Sequence, residues 1–231
     1  MQCRLAVIIF ASLLLSPLAA ETLDREPFGR LATPAAQRSV QAKWDGVEID
    51  IRADRRVLQA CVTDRAGCSA AAARFLAIID DARARRGLDR YDAVNRAVNT
   101  AIGIRTDREQ HGVAELWSSP LATFRSGFGD CEDLAIAKYV ALGEAGTAPD
   151  DLRLVIVRPR NHEFHVVLAA RLDRHWMILD ISRSDIVEDT ATDYVPRFII
   201  DHRGIREIRL PDHPVADAST AASPGAATTC G

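Results

Sequence analysis

Three residues of this chain have the types and the order that nucleophilic cysteine chemistry requires. Cys131 lies in Gly-Asp-Cys-Glu-Asp (129–133), and His165 and Asp180 follow on two predicted neighbouring strands. A thiol at a turn into a helix, an imidazole that acts as its base and a carboxylate that orients the base form a catalytic arrangement. We therefore predict Cys131 as the nucleophile, His165 as the general base and Asp180 as the orienting carboxylate.

Each of these residues also has an ordinary structural interpretation. A cysteine is commonly buried in a core, a strand histidine is commonly a hydrogen-bonded core residue, and Asp180 alone could end its strand. The catalytic hypothesis depends on the agreement of chain order, helix start and strand pairing. His162 is the competing base, but it stands beside Asn161 in a predicted turn, without an obvious carboxylate opposite.

The segments that would position these residues predict an α+β fold. Apolar residues at helical spacing predict helices over 70–86, from 89 or 92 to 102, and from 130 or 131 to 145. Strands are predicted over 152–158, 163–171, 176–181, 198–201 and 205–210. Helices followed by antiparallel strands are typical of the α+β class.

The predicted hairpin tests the pairing of His165 with Asp180. A loop of even length centred on Leu172-Asp173 places the two residues directly opposite each other, with both side chains on one face. Moving the loop by one residue removes this direct pairing.

The predicted helix start at Cys131 has a physical use. Unpaired backbone N–H groups and the positive end of the helix dipole favour a thiolate, and the same groups can hold an oxyanion. Gly127 and Gly129 allow a tight turn and leave room for a substrate to approach.

Three acidic residues surround the predicted nucleophile. Asp130, Glu132 and Asp133 would disfavour the Cys131 thiolate by like-charge repulsion. They could instead gather a hard cation such as Ca²⁺, with loop carbonyls completing its shell. The alternative is that Asp130 is the N-cap and Asp133 its partner in a capping arrangement. Spacing alone favours the cap for Asp130 and leaves Glu132 unexplained.

Composition and the N-terminus predict an exported protein. The chain has 231 residues and a formal net charge of −3, and its arginines are interspersed with aspartates, so no nucleic-acid surface is predicted. Arg4, an apolar run and small residues up to Ala20 are typical of a cleaved signal peptide, with an uncleaved anchor as the alternative. We predict a signal peptide (1–20), a loosely attached polar lead-in (21–45), one catalytic domain (46–210) and a disordered tail (211–231). Cys61 and Cys68 are predicted to form a local disulfide, with two free thiols as the alternative.

The motifs together resemble those of the bacterial transglutaminase-like cysteine proteinases. The resemblance covers roughly 45–200, and its matching stretches are 91–95, 117–120, 129–139, 165–168 and 178–180. It implies a papain-like, transglutaminase-like core with a triad at Cys131, His165 and Asp180. It also implies that the calcium carboxylates of the family correspond to Asp130, Glu132 and Asp133.

The same resemblance implies a periplasmic enzyme with a protein substrate. The best-known member of the family needs calcium and releases a large biofilm adhesin by cutting near its N-terminus at paired alanines. A surface adhesin as substrate and an inner-membrane regulatory receptor as partner are therefore expected. The chain departs from the family pattern at Ile181, often Asn, at Glu115, usually Asp, and at Ser119 and Ala122, where Thr and Glu are usual.

Two other functions remain open from the sequence. The same thioester chemistry could transfer an acyl group to an amine, as in protein cross-linking. Alternatively, the chain could be a non-catalytic envelope module whose pocket binds a peptide. Trp117 would either line the substrate cleft or pack in the core.

Overall fold

A computed structural model describes residues 26–35, 37–159 and 164–209. The predicted signal peptide, the predicted tail and His162 lie outside these residues. Within the described ranges, no helix combines the length and the apolar character needed to cross a membrane.

Helices dominate the first part of the chain, as predicted. Ser69 starts one of them by accepting a hydrogen bond from the backbone N–H of Ala72. Residues 38–63 were not predicted to be helical, although Trp44, Val47, Ile51 and Leu58 form a buried stripe along them. The helices of the described residues are α1 (Arg38–Thr63), α2 (Ala70–Ala84), α3 (Gly87–Ala101), α4 (Asp107–His111), α5 (Pro120–Ser126) and α6 (Cys131–Glu144).

The second part of the chain forms most of an antiparallel sheet. The strands of the described residues are β1 (Ala32–Pro34), β2 (Gly103–Ile104), β3 (Phe128–Gly129), β4 (Leu152–Arg158), β5 (His165–Leu172), β6 (His175–Leu179), β7 (Val187–Glu188), β8 (Val195–Asp201) and β9 (Gly204–Ile208). Seven of these pair in the order β1-β9-β8-β4-β5-β6-β7, and a separate parallel pair joins β2 to β3. The fold is therefore α+β, as predicted.

The segment expected to be a loose lead-in contributes to the sheet. β1 pairs antiparallel with β9, and α1 begins at Arg38, so regular structure starts before residue 46. Glu26 is buried, and its Oε2 lies 2.7 Å from Nε of Arg153. Burial raises the pKa of the Glu26 carboxyl, but hydrogen bonds from Arg206 and Arg153 outweigh burial and lower it. Residues 26–34 are thus anchored to the sheet.

The β5–β6 hairpin does not have the predicted register. Leu172 pairs with His175, so the two-residue turn is Asp173-Arg174 and not a loop centred on Leu172-Asp173. Asp173 has a φ of 55°, which Asp tolerates better than most residues. The turn lies one residue later than predicted, which moves each pairing by two positions. His165 and Asp180 are therefore diagonal neighbours on the same face instead of directly opposite.

Helix α6 lies at the centre of the core. It packs against α2, α3 and α5 and also against β4 and β5, so most of its side chains are buried on every side. This packing fixes the position of its first residue, Cys131, relative to β5. Near the end of α1, Cys61 is bonded to Cys68, which confirms the predicted local disulfide.

Candidate active site

Cys131 is the first residue of α6 and is fully buried. The backbone N–H of Val166, the residue after His165, donates to its Sγ at 3.2 Å. This contact places β5 directly beside the sulfur. Gly127 has a φ of 76°, and a Cβ at Gly129 would lie 2.9 Å from the Cβ of Asp133. The positive φ of Gly127 fits the predicted tight turn, whereas Gly129 makes room for the side chains of Asp133 and Thr123.

His165 and Asp180 form a direct hydrogen bond despite the shifted register. Nε2 of His165 lies 2.8 Å from Oδ1 of Asp180, and the His165 side chain is 13% exposed. The diagonal arrangement still allows contact because an imidazole reaches across two neighbouring strands. The structure thus joins His165 to Asp180, and the Val166 N–H contact places Cys131 beside the strand that carries His165.

Asp180 accepts hydrogen bonds on both carboxylate oxygens. Besides His165, the backbone N–H of Ser182 donates to Oδ1 at 3.0 Å, and the hydroxyl of Tyr194 donates to Oδ2. Burial raises the pKa of the Asp180 carboxyl, but these three donors and the His165 charge outweigh burial and hold the pKa well below its usual range. Asp180 is therefore a stable anion at the end of β6.

Two asparagines of α3 support the loop that carries Asp180. Nδ2 of Asn99 donates to the backbone carbonyl of Asp180 at 2.9 Å, and Nδ2 of Asn95 donates to that of Arg183 at 3.3 Å. No role was predicted for either asparagine from the sequence. Their spacing of four residues, beside the buried Val94 and Val98, was the available signal, because polar side chains in such a place need hydrogen-bonding partners.

The acidic residues around Cys131 do not act as a conventional helix cap. Asp130 is the N-cap by position, yet within the described chain its side chain makes no capping hydrogen bond. Asp133 accepts from the backbone N–H of Ser118 at 2.7 Å, and the backbone N–H of Asp130 also acts on its carboxyl. The Asp130 side chain is thus the part that departs from the predicted capping arrangement.

A fourth acid, which was not predicted from the sequence, joins this region. Ligand atoms of Asp107, Asp130 and Glu132 all lie within 4.8 Å of one another, and all three residues are buried. Asp107 comes close because β2 pairs with β3, and the Arg105 N–H donates to the Gly129 carbonyl at 3.1 Å. This strand pairing connects two segments that are far apart in the sequence, so the sequence offered no direct signal. Asp133 lies outside this group of three.

Burial and mutual repulsion raise the pKa values of these acids. Burial, followed by the charge of Asp107, raises the pKa of Asp130 to about 6. Burial, followed by the charge of Asp130, raises that of Asp133 to about 8 and that of Glu132 well above its usual range. At neutral pH the Asp133 carboxyl therefore mostly keeps its proton unless a cation compensates the negative charge of the cluster.

Trp117 belongs to the core and not to an open cleft. It is 7% exposed, and its Nε1 donates to Oε1 of Glu115 at 3.0 Å. Glu115 is also 2.7 Å from Nζ of Lys43 on α1. These contacts favour the packing interpretation of Trp117.

Comparison with solved structures identifies similar folds. Legionella pneumophila LapG matches with a TM-score of 0.55 and 25% sequence identity, over 67% of this chain and 87% of that chain. The calcium-bound form of that protein matches with a TM-score of 0.54 and 25% identity, over 68% of this chain and 87% of that chain. An EGTA-treated form matches with a TM-score of 0.55 and 25% identity, over 67% of this chain and 84% of that chain.

Comparison of the sequence with family models gives a further match. Residues 56–202 match the model of the bacterial transglutaminase-like cysteine proteinases, BTLCP, and this range is well over half of the chain. Among curated proteins, none matches the chain. A protease family implies a protein substrate, and nothing in these comparisons points to nucleic acid. The chain belongs to the bacterial transglutaminase-like cysteine proteinases and is a transglutaminase-like cysteine peptidase.

Proposed function

We propose that this protein is a periplasmic, calcium-assisted cysteine endopeptidase with a triad formed by Cys131, His165 and Asp180. The observation that carries the proposal is the hydrogen bond of His165 to Asp180 on a strand whose next backbone N–H donates to the Cys131 sulfur. The elements that bring these residues together begin at distant points of the chain. Their convergence matches the requirements of an activated nucleophile.

The proposed reaction assigns one role to each member of the triad. Nε2 of His165 lies on Asp180, and we assign Nδ1 of the same ring the role of taking the proton of the Cys131 thiol. The sulfur attacks the peptide carbonyl carbon, and the N-terminal N–H groups of α6 hold the oxyanion. The C–N bond then breaks, and the leaving amine takes its proton from His165. Water hydrolyses the thioester, which releases the acid and restores the thiol.

The acidic cluster fits a calcium ion. Asp130 Oδ1 and Asp133 Oδ2 are buried and, among the described residues, have no hydrogen-bonding partner. Carboxylate oxygens are the ligands that Ca²⁺ prefers. Asp107, Asp130 and Glu132 would hold the ion, and Asp133 would add negative charge while it holds Ser118. A bound calcium would supply positive charge that offsets the carboxylates beside Cys131.

Location and substrate are proposed from the family. The leader-like residues 1–20 support export to the periplasm. A large surface adhesin is the proposed substrate, and an inner-membrane receptor is a proposed regulatory partner, in line with the similarity to LapG. Proteomic comparison of surface proteins shed by wild-type and deletion strains tests this assignment. Equal release of every surface protein would reject it.

The reaction itself is tested with the purified mature protein and a proteome-derived peptide library. New peptide N-termini should form with the wild-type protein and disappear with Cys131→Ala, whose melting temperature should stay close to that of the wild type. Full activity in Cys131→Ala would refute the proposed nucleophile. Adding a primary amine separates hydrolysis from acyl transfer, because only the latter yields glutamine-linked adducts.

A further inference from the structure

Tyr194 contacts two members of the proposed triad. It lies directly before β8, and its hydroxyl donates to Oδ2 of Asp180. Its ring meets the His165 ring edge-on, with 6.1 Å between centroids and 62° between planes. One side chain therefore contacts both the carboxylate and the imidazole, from a segment beyond the β5–β6 hairpin.

The hydrogen bonds of Asp180 are divided between its two oxygens. Oδ1 accepts from His165 and from the Ser182 N–H, whereas Oδ2 accepts from Tyr194. A carboxylate held on one oxygen alone can rotate about its terminal torsion, which is broad for aspartate. A donor on the second oxygen opposes this rotation, so Oδ1 stays directed at Nε2 of His165.

The charges around this contact favour a neutral tyrosine beside an ionised aspartate. Burial, followed by the hydrogen bond to Asp180, raises the pKa of the Tyr194 hydroxyl. Arg183 and Ser182 also interact with Tyr194, and the positive charge of Lys138 on α6 acts on Asp180. His165 on β5 also faces the pair, through its hydrogen bond to Asp180 and its charge. The phenol thus remains a donor throughout the neutral pH range.

We infer that Tyr194 is a positioning residue for the cysteine peptidase reaction: it fixes the Asp180 carboxylate on His165 and restricts the imidazole through its ring. The inference rests on the proposed triad. It assigns Tyr194 no contact with the substrate, so its effect should be on the chemical step and on the Cys131–His165 pair and not on substrate binding.

The test compares Tyr194→Phe with Tyr91→Phe. Both variants remove a tyrosine hydroxyl, but the Tyr91 hydroxyl donates to the Arg171 carbonyl at 2.7 Å and does not touch the triad. With a peptide from the library as substrate, Tyr194→Phe should lower kcat about 10-fold and leave KM within about twofold, as expected when one hydrogen bond to a charged group is lost. Tyr91→Phe should leave both constants nearly unchanged.

A second measurement needs no substrate. The rate of Cys131 modification by iodoacetamide, measured by mass spectrometry after reduction, reports how the thiolate forms as pH rises. In Tyr194→Phe, the modification rate on the acidic side of the profile should fall. In an Asp180→Asn background, Tyr194→Phe should have little further effect, because Tyr194 acts through that carboxylate.

Three results would overturn the inference. Wild-type kcat and an unchanged alkylation profile in Tyr194→Phe would exclude a positioning role. An equal, additive loss in the Asp180→Asn background would show that Tyr194 does not act through Asp180. A wild-type alkylation profile that is insensitive to His165→Ala would remove the proposed triad itself, and the inference with it.

Discussion

The buried carboxylate of Asp180 and the buried carboxylates at the start of α6 are in opposite electrostatic states. At the end of β6, Asp180 accepts from three protein donors, and its pKa is lowered. At the start of α6, Asp130 and Glu132 lie beside each other and beside Asp107, and their pKa values are raised. Both groups are withdrawn from water, so burial alone does not explain the difference.

The difference comes from the partners that the fold provides. Asp180 obtains N–H and O–H donors from the loop after β6, from β5 and from the segment before β8. The acids at α6 mainly face one another, and a like charge adds to the cost of burial. The charge of Asp180 is therefore stabilised by protein donors alone, whereas the acids at α6 need a cation to reach the same ionised state.

The largest effect on activity should follow from neutralising the Asp180 carboxylate. Asp180→Asn keeps the side-chain shape but removes the charge that orients His165 and stabilises its protonated form, so kcat/KM should fall about 10³-fold or more. Asp173→Asn, in the turn of the same hairpin, is the matched control. Activity within tenfold of wild type in Asp180→Asn would contradict the assignment of Asp180 to the triad.

A smaller effect is expected where calcium compensates the charge. Asp130→Asn should weaken calcium binding at least about 10-fold, and the rise in melting temperature of an EGTA-treated sample on adding Ca²⁺ should shrink accordingly. Glu144→Gln is the control, because Glu144 is an acid of the same helix that pairs with Arg55 instead. A wild-type melting temperature that does not respond to Ca²⁺ would reject the metal site.

The smallest expected effect is the pH dependence of the free energy of unfolding, to which Asp180 and the acids at α6 contribute with opposite sign. In the metal-free fold, the pKa of Asp133 is about 8 and that of Asp130 about 6, both above the unfolded values. The folded state therefore holds more protons, and stability without calcium should fall as pH rises from about 4 to about 8. Asp180, with its lowered pKa, acts in the opposite sense: its contribution is present above about pH 4 and is lost as pH falls further.

Calcium binding should strengthen as pH rises, which is the opposite of the trend in stability of the calcium-free protein. Because the ion competes with protons for the carboxylates, its affinity should fall roughly 10-fold between pH 8 and pH 6, and binding at pH 7 should release protons. Calorimetry in buffers of different ionisation enthalpy measures this release. Binding that is independent of pH would mean that these acids are not the ligands.

The β5–β6 hairpin was predicted from the sequence only in part. Alternation along β5 and β6 was enough to place His165 and Asp180 on one face, and this conclusion survived a wrong register because the error moved each pairing by two residues. The exact turn depended on Asp173 adopting a positive φ, which residue preference alone does not decide. Tyr194 was not predicted because it lies outside the hairpin.

The contacts of the N-terminal residues and of Asp107 could not be predicted from the sequence. Polar composition suggested a loose lead-in, but Glu26 pairs with the buried Arg153 and the partly buried Arg206, which come from strands far along the chain. Asp107 is 24 residues before Cys131 and joins the acidic group only through the β2–β3 pairing. Neither contact leaves a local pattern.

The sequence by itself determined the helix start at Cys131, the strands that carry His165 and Asp180, and the concentration of acids beside the thiol. These features depend on local propensity, periodicity and spacing, which act over a few residues. The tertiary structure alone decided which donors reach each carboxylate. The charge of a buried group depends on its neighbours in space, and for Asp180 and Asp130 those neighbours come from distant segments of the chain.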